Sequence, residues 1–320
     1  MLRTPLCDLL SIKYPIVQGG MAWVGTAELA AAVSIAGGLG IIGGGNASTE
    51  EVAREIRLAK ELTDKPFGLN IPLAISEYAD DIVSLCIEEG VRIVVIGAWR
   101  PGNHIARLKE AGITVISVIA SVALAKRLER QGVDALVAEG MESGGHIGDV
   151  ATMPLVPQVV DAVDVPIIAA GGFADGRGLV AALALGAQGI QMGTRFICTT
   201  ECTVHDNYKQ AILKAKDRST ITTGHSLGHP VRALKNPMVH QFEELERRGI
   251  SEQEIIEFGT GKLRLAAIEG DMINGSVMAG QIAGMINDIV PVKELIERIV
   301  AEAEEIIAKL QGLKAEANWR

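Results

Sequence analysis

Short runs of apolar, often β-branched residues alternate along this chain with longer amphipathic stretches that carry charge on one face. Eight runs read as strands: 14–20, 39–45, 66–71, 92–98, 114–120, 135–140, 166–172 and 189–196. They are near-continuously apolar rather than alternating, so both faces should be buried, as in a parallel sheet covered by helices. The segments between them, such as "TEEVAREIRLAKELTDK" and "SVALAKRLERQG", have helical spacing with polar outer faces. A glycine recurs just ahead of several runs, at Gly90, Gly112, Gly132 and Gly186. Glycine there suits the left-handed residue that ends a helix and turns the chain into the next strand. Eight such units, one after another, predict a (β/α)8 TIM barrel. The rival is a doubly wound Rossmann sheet, resting on "GIIGGGNAS". Its GxGxxG spacing is broken and no acid ends the following strand to hold a ribose, so the barrel is preferred.

Beyond Cys202 the pattern changes. "VHDNYKQAILKAKDRS" looks helical, and "TITTGHSLGHPVRALKNP" reads as loop with a short strand. "HQFEELERRG" and "SEQEIIEFG" read as short charged helices. The expected organisation is a barrel over 1–203 and 273–320, with a smaller inserted lobe over 204–272 covering the site. "GSVMAGQIAGMI" has small residues that should pack closely, and "VKELIERIVAEAEEIIAKLQ" is an amphipathic C-terminal helix.

Composition narrows the function classes. A net charge of −9 argues against a general nucleic-acid or anionic-membrane binder. The longest apolar stretch, Met21 to Gly45, carries Glu28 and fits a helix followed by a strand better than a membrane span. The N-terminal "MLRTPLCDLLSIKYP" lacks the apolar core of a signal peptide. Cys7, Cys86, Cys198 and Cys202 show neither CxxC nor zinc-finger spacing, as expected of reduced thiols in a cytoplasmic protein.

In a barrel the chemistry sits in the turns that follow the strands. Here these are "QGGMAW", "GGGNAS", "NIPLA", "GAWRPGNH", "EGMESGGHIGD", "AGGFADGRG" and "MGTRF". Their glycines suit tight connections, and equally a backbone that must approach a flat or phosphorylated ligand. The turns after the seventh and eighth strands are the usual phosphate site, so Gly171, Gly172, Gly193 and Thr194 are the expected backbone donors. His146 follows two glycines that remove side-chain bulk, leaving room for a ring system with an imidazole at its edge. Glu139, ending the sixth strand, is placed to accept from a ligand hydroxyl or to orient this loop. Asn70, ending the third, offers an amide donor and acceptor to a ring edge.

"YPIVQGGMAWV", "AGGLGIIGGGN", "DKPFGLNI", "AEGMESGGHIG", "IIAAGGFADGRG", "QMGTRF", "GHPVRALKN" and "GSVMAGQIAG" together resemble the FMN-dependent, type II enoyl-acyl-carrier-protein reductases. These belong to the nitronate monooxygenase (2-nitropropane dioxygenase-like) superfamily. The likeness runs almost the full length. It implies a barrel that holds FMN, reduction of the flavin by NADH or NADPH, and hydride transfer to the β-carbon of an enoyl thioester. By match to the family motifs, His146 is the proton donor. The flavin contacts are Gly20, Met21, Ala22, Asn70, Glu139, Gly144, Gly145, Gly172, Gly193 and Thr194, with Met278 and Gln281 further candidates. Family members are often stimulated by a monovalent cation, whose site no motif marks. One departure concerns the fifth strand. Some nitronate monooxygenases carry a lysine at its end, whereas here it reads "VIASVA".

An acidic acyl-carrier protein would need a local basic patch on a chain of this charge. Arg232 and Lys235, near His225 and His229, are the candidates, and a homodimer is the expected assembly. Three rivals remain open at this point. A nitronate monooxygenase would use His146 as a base. A ligand-binding sensor would not turn over. A barrel dehydrogenase of the inosine-monophosphate type would need a loop cysteine as nucleophile.

Overall fold

The computed structural model describes residues 2–45, 47–73, 78–97 and 102–313. Asn46, Ala74 and residues 98–101, which belong to three of the predicted turns, lie outside them.

Each apolar run forms a strand. They are β1 (Ile16–Gln18), β2 (Gly40–Gly43), β3 (Phe67–Ile71), β4 (Ile93–Gly97), β5 (Thr114–Ile119) and β6 (Ala135–Glu139). After a two-residue strand, β7 (Gly145–His146), come β8 (Ile167–Ala170) and β9 (Gly189–Met192). All except β7 pair in parallel, in the order β1-β9-β8-β6-β5-β4-β3-β2. The two ends of that order meet through a bridge between Val17 and Leu39. There the backbone ladder is short, and the buried Gln18 amide adds a second link, accepting from Ile41 N (2.9 Å) and donating to Ile41 O (3.0 Å). The eight strands thus form a nearly closed (β/α)8 barrel.

Strand alternation divides the apolar residues between two cores. Val17, Leu39, Ile41, Val95, Ile116, Val137 and Ile168 fill the barrel, and the N-terminal helix α1 (Pro5–Leu10) adds Leu6, Cys7 and Leu10 beneath them. Residues of the opposite parity pack outward against the helices. The helix-ending glycines behave as expected. Gly90, Gly112, Gly132 and Gly186 all have φ between 63° and 91°. At the first three a side chain would meet nothing, so backbone conformation alone accounts for glycine.

After β9 the chain makes only a four-residue helix, Thr194–Ile197, before leaving the barrel. The long C-terminal helix Val292–Leu313 returns to pack on the helices Gly176–Ala184 and Ala27–Ile35, where an eighth barrel helix belongs. The intervening segment contains helices Asp206–Leu213, Pro237–Arg247, Glu252–Gly259 and Lys262–Glu269. It also contains two strands, β10 (Thr220–Thr223) and β11 (Val231–Leu234). The sequence pattern suggested one short strand here. The second forms because β7 completes a three-stranded antiparallel sheet in the order β10-β11-β7. A small core of Ala233, Met238 and Val239, packed by Phe242 and Phe258, supports it. The small-residue stretch is closely packed as expected. A side chain on Gly275, Gly280 or Gly284 would come within 2.8 Å of neighbouring backbone. Among the described residues, no helix is long and apolar enough to cross a membrane.

Candidate active site

The register of the barrel places three polar side chains on its inner face at the C-terminal rim. Asn70 pairs with Val95, which faces inward. Glu139 pairs with Ala170, and Ala170 with Gln191 and so with the row of inward-facing Val17. Below this rim the interior is apolar. Asn70 donates to Val95 O at 3.2 Å, and its carbonyl oxygen lies beside Gly20. The Oε1 of Gln191 is buried and has no hydrogen-bond partner among the described residues. A buried amide oxygen left this way costs on the order of 1–3 kcal/mol unless a ligand satisfies it. Gln191 was not among the expected residues, although a polar residue inside the apolar "GIQM" run is its trace in the sequence.

Around the rim the expected residues fall into three connected groups. Gly20, Met21 and Ala22 form the turn above β1. A side chain on Gly20 would lie 2.2 Å from Asn70 Cβ, so glycine is required there by protein packing rather than by a ligand. Met21 reaches across to Gly193, whose missing side chain its sulfur would otherwise approach at 3.2 Å.

Gly171, Gly172, Gly193 and Thr194 form the second group. The N–H groups of Gly172, Gly193 and Thr194 have no acceptor among the described residues. Gly172 has φ 85°, and a side chain there would meet Glu142 Cβ at an ordinary 3.7 Å, so backbone conformation rather than crowding accounts for glycine. Free N–H groups in such a turn can hold an anion. Gly171 instead packs against Gly140 O, at 2.8 Å from where a side chain would begin. The following helix is not free to join in. Asp175 caps Arg177 N and Gly178 N, and Glu302 accepts from Gly176 N at 2.8 Å. The N–H groups left without an acceptor here are therefore those of turn glycines and Thr194, not those of that helix end.

The third group is the loop after β6. Glu139 is half-buried and accepts from the Ser143 hydroxyl; burial pushes its carboxyl up to about 7, against that hydrogen bond. Glu142, which was not singled out, holds the loop. It accepts from Thr152 N (3.0 Å) and Thr152 Oγ1 (2.8 Å) and faces Arg232. Gly144 lies against the Ala279 backbone, 2.6 Å from a would-be Cβ, and Gly145 has φ 77° beneath Met278. Gln281 N donates to Glu142 O at 2.9 Å while its side chain is exposed. Gly280 N donates to Thr194 Oγ1 (2.9 Å), which ties this region to the turn after β9.

His146 stands on β7, opposite Val231 of β11, with Ile147 N donating to Pro230 O at 3.0 Å. Its residue surface is open to solvent at the mouth, yet the walls crowd the ring. Desolvation first, and the neighbouring His229 second, lower its pKa below the usual histidine value, which keeps the imidazole neutral near pH 7.

Arg232 does not join the expected basic patch. It is 4% exposed, donating to Met141 O (3.0 Å) and Thr220 Oγ1 (3.2 Å). Its guanidinium pins the His146 loop to the lobe. Lys235 is exposed, but it lies beyond the far end of β11 from His146. Cys198 and Cys202 are buried, and burial pushes the Cys198 thiol up to about 12, the wrong direction for a nucleophile.

Comparison with known proteins agrees with the fold. The family model described as nitronate monooxygenase matches residues 3–302. A solved structure of FabK from Thermotoga maritima superposes with a TM-score of 0.95 at 51% identity, covering 98% of this chain and 99% of that one. A (3aS,4S,5R,7aS)-5-hydroxy-7a-methyl-1-oxo-octahydro-1H-indene-4-carboxyl-CoA dehydrogenase of Mycobacterium tuberculosis is 39% identical over 94% of this chain and 96% of its own length. A probable nitronate monooxygenase of Staphylococcus saprophyticus is 35% identical over 96% and 99%. The chain belongs to the nitronate monooxygenase family, is an oxidoreductase of that family, and resembles its FabK-like, type II enoyl-acyl-carrier-protein reductase branch.

Proposed function

We propose that this protein reduces the trans-2 double bond of an enoyl thioester, carried by acyl-carrier protein, at the expense of NADH or NADPH through FMN. The observation that carries this reading is the likeness to FabK over nearly the whole of both chains, with His146 held at the mouth of an FMN-compatible rim. The residues fit FMN. The N–H groups of Gly172, Gly193 and Thr194 would hold its phosphate, and the Gly20–Ala22 turn, Asn70 and Gln191 would meet its ring. When bound, FMN supplies the hydride, received from the nicotinamide and delivered to the β-carbon.

The protein's own part is binding and proton placement. A neutral His146 carries one ring N–H, which can hydrogen-bond the thioester carbonyl oxygen or supply the proton that the α-carbon needs. Arg232 and Glu142 fix the loop that presents it, and the segment around Met278 covers the glycine pair. The second reading is nitronate oxidation, which several relatives' names support. Against it, β5 ends in Val118 and Ile119, followed by Ala120, with no lysine at that position.

Anaerobic mixing decides between them. NADH should bleach the flavin, and a short enoyl thioester should restore its colour. His146→Ala should still bleach but return colour ~10²–10⁴-fold more slowly. Inertness to NADH, with nitronate consumed on admitting oxygen, would establish the monooxygenase instead.

A further inference from the structure

A second cleft, of about 400 Å³, lies in the lobe between the helix Asp206–Leu213, the turn that follows it and the end of β11. Leu234, Val277 and Met272 contribute an apolar floor, and Lys214, Arg218 and Lys235 stand around it with Ser219 and Asn236. Among the described residues, no acid lines it. All three cations are exposed, and none takes part in an ion pair or a side-chain hydrogen bond among the described residues. On a chain at −9, where Arg57, Lys60, Lys109, Arg195 and Arg298 are each paired with an acid, three converging unpaired cations ask for an anion from outside.

The cleft is tied to the active site by a shared wall. Leu234 N donates to Val277 O at 2.8 Å, Ala233 bridges to Met278, and Met278 lies over Gly145. Along β11, Val231 is opposite His146 and Lys235 is four residues further on. At strand rise that is roughly 13 Å. Building on the thioester reading above, we propose that this cleft binds the phosphate of a 4′-phosphopantetheine arm, whether the arm is borne by a carrier protein or by coenzyme A. The extended arm, with two amide units and a pantoyl group, has the length to place its thioester near His146 from there. Its methyl groups suit the apolar floor and its phosphate suits the three cations.

The test uses the full holoprotein and the variant Lys214→Ala/Arg218→Ala/Lys235→Ala, all exposed positions. Substrates are crotonyl-carrier protein, crotonyl-coenzyme A and crotonyl-pantetheine, which lacks the phosphate. KM should rise about tenfold or more for the first two, with KM for crotonyl-pantetheine and kcat unchanged. Four outcomes overturn the proposal. They are an equal rise for all three substrates, no rise for any, a rise for the carrier-borne or the coenzyme A substrate alone, and a changed KM for the nicotinamide nucleotide. Calorimetric titration with 4′-phosphopantetheine and with pantetheine reads the cleft without turnover, so the test survives a failure of the reductase reading. Binding that needs the phosphate and is lost in the variant supports the site. Equal binding of the two, or no binding of either, sinks it.

Discussion

The two ends of the barrel are made from the same eight strands and do opposite work. At the N-terminal end α1 presses Leu6, Cys7 and Leu10 against Val17, Leu39 and Ile168 in a buried apolar cluster. At the C-terminal end sit an amide oxygen without a partner, a carboxyl that burial disfavours, an imidazole kept from its charged form and backbone N–H groups without acceptors. The partnerless Gln191 oxygen, and the Glu139 carboxyl when ionised, lower the stability of the ligand-free chain. One end stores stability, and the other uses it to hold groups in states that suit a ligand. Alternation along a strand makes this possible, because successive inward positions of β6 are Ala135, Val137 and then Glu139.

The largest effect should come from the sealed end. Leu6 is fully buried and its side chain reaches the space beside Gly189, so Leu6→Ala removes packing that neighbouring backbone cannot refill. A loss of about 2–5 kcal/mol is expected in urea denaturation of the apoprotein. Turnover per folded molecule at low temperature should not change. A fall in kcat matching the fall in stability would mean the two ends are mechanically coupled, and the comparison would fail.

Next in size is Glu139→Gln, a test of the open end. The Glu139 carboxyl titrates at about 7 in the fold, above its ordinary value of 4.5. The folded state therefore prefers the protonated form. Its stability relative to the variant is fully present below about pH 4.5 and is lost as pH rises through about 7. By pH 8 the variant should be the more stable by up to roughly 3 kcal/mol, and near pH 4.5 the two should be alike. Parallel unfolding curves at the two pH values check this. A constant difference would show that Glu139 is not ionising against burial.

What the sequence made legible follows the same division. The barrel strands could be read because burial on both faces leaves an unbroken apolar run, and the glycine stops because a left-handed residue is a local requirement. Glu139 and Asn70 stood out as polar residues at strand ends, and His146 as a titratable ring straight after two glycines. Their setting did not, because it is assembled from distant segments. β7 is a strand only because residues 145–146 pair with 231–232, and neither has strand composition by itself. Arg232 looked like surface charge near Lys235, yet it lies inside β11 while Lys235 lies past its end, and its guanidinium donates to Met141 O, so it is buried. Glu142 went unremarked beside Glu139 because its partner, Thr152, lies ten residues on across the turn. Lys214, Arg218 and Lys235 converge only through the fold of the lobe.

The smallest effect expected is also the one that separates the two ends most cleanly. Gln191→Leu keeps the side-chain volume near constant and removes the partnerless Oε1 from the rim. The bare protein should hold its stability or gain about 1 kcal/mol, because a buried acceptor without a donor is no longer desolvated. FMN affinity should move the other way, falling by about fivefold to tenfold if the amide meets the ring edge. Flavin fluorescence titration and urea denaturation of the apoprotein give the two numbers on one variant. Opposite signs mean that Gln191 is kept at a cost to the fold for the sake of the ligand. If both fall together, the amide is structural, and the open end begins above it, at the glycine turns.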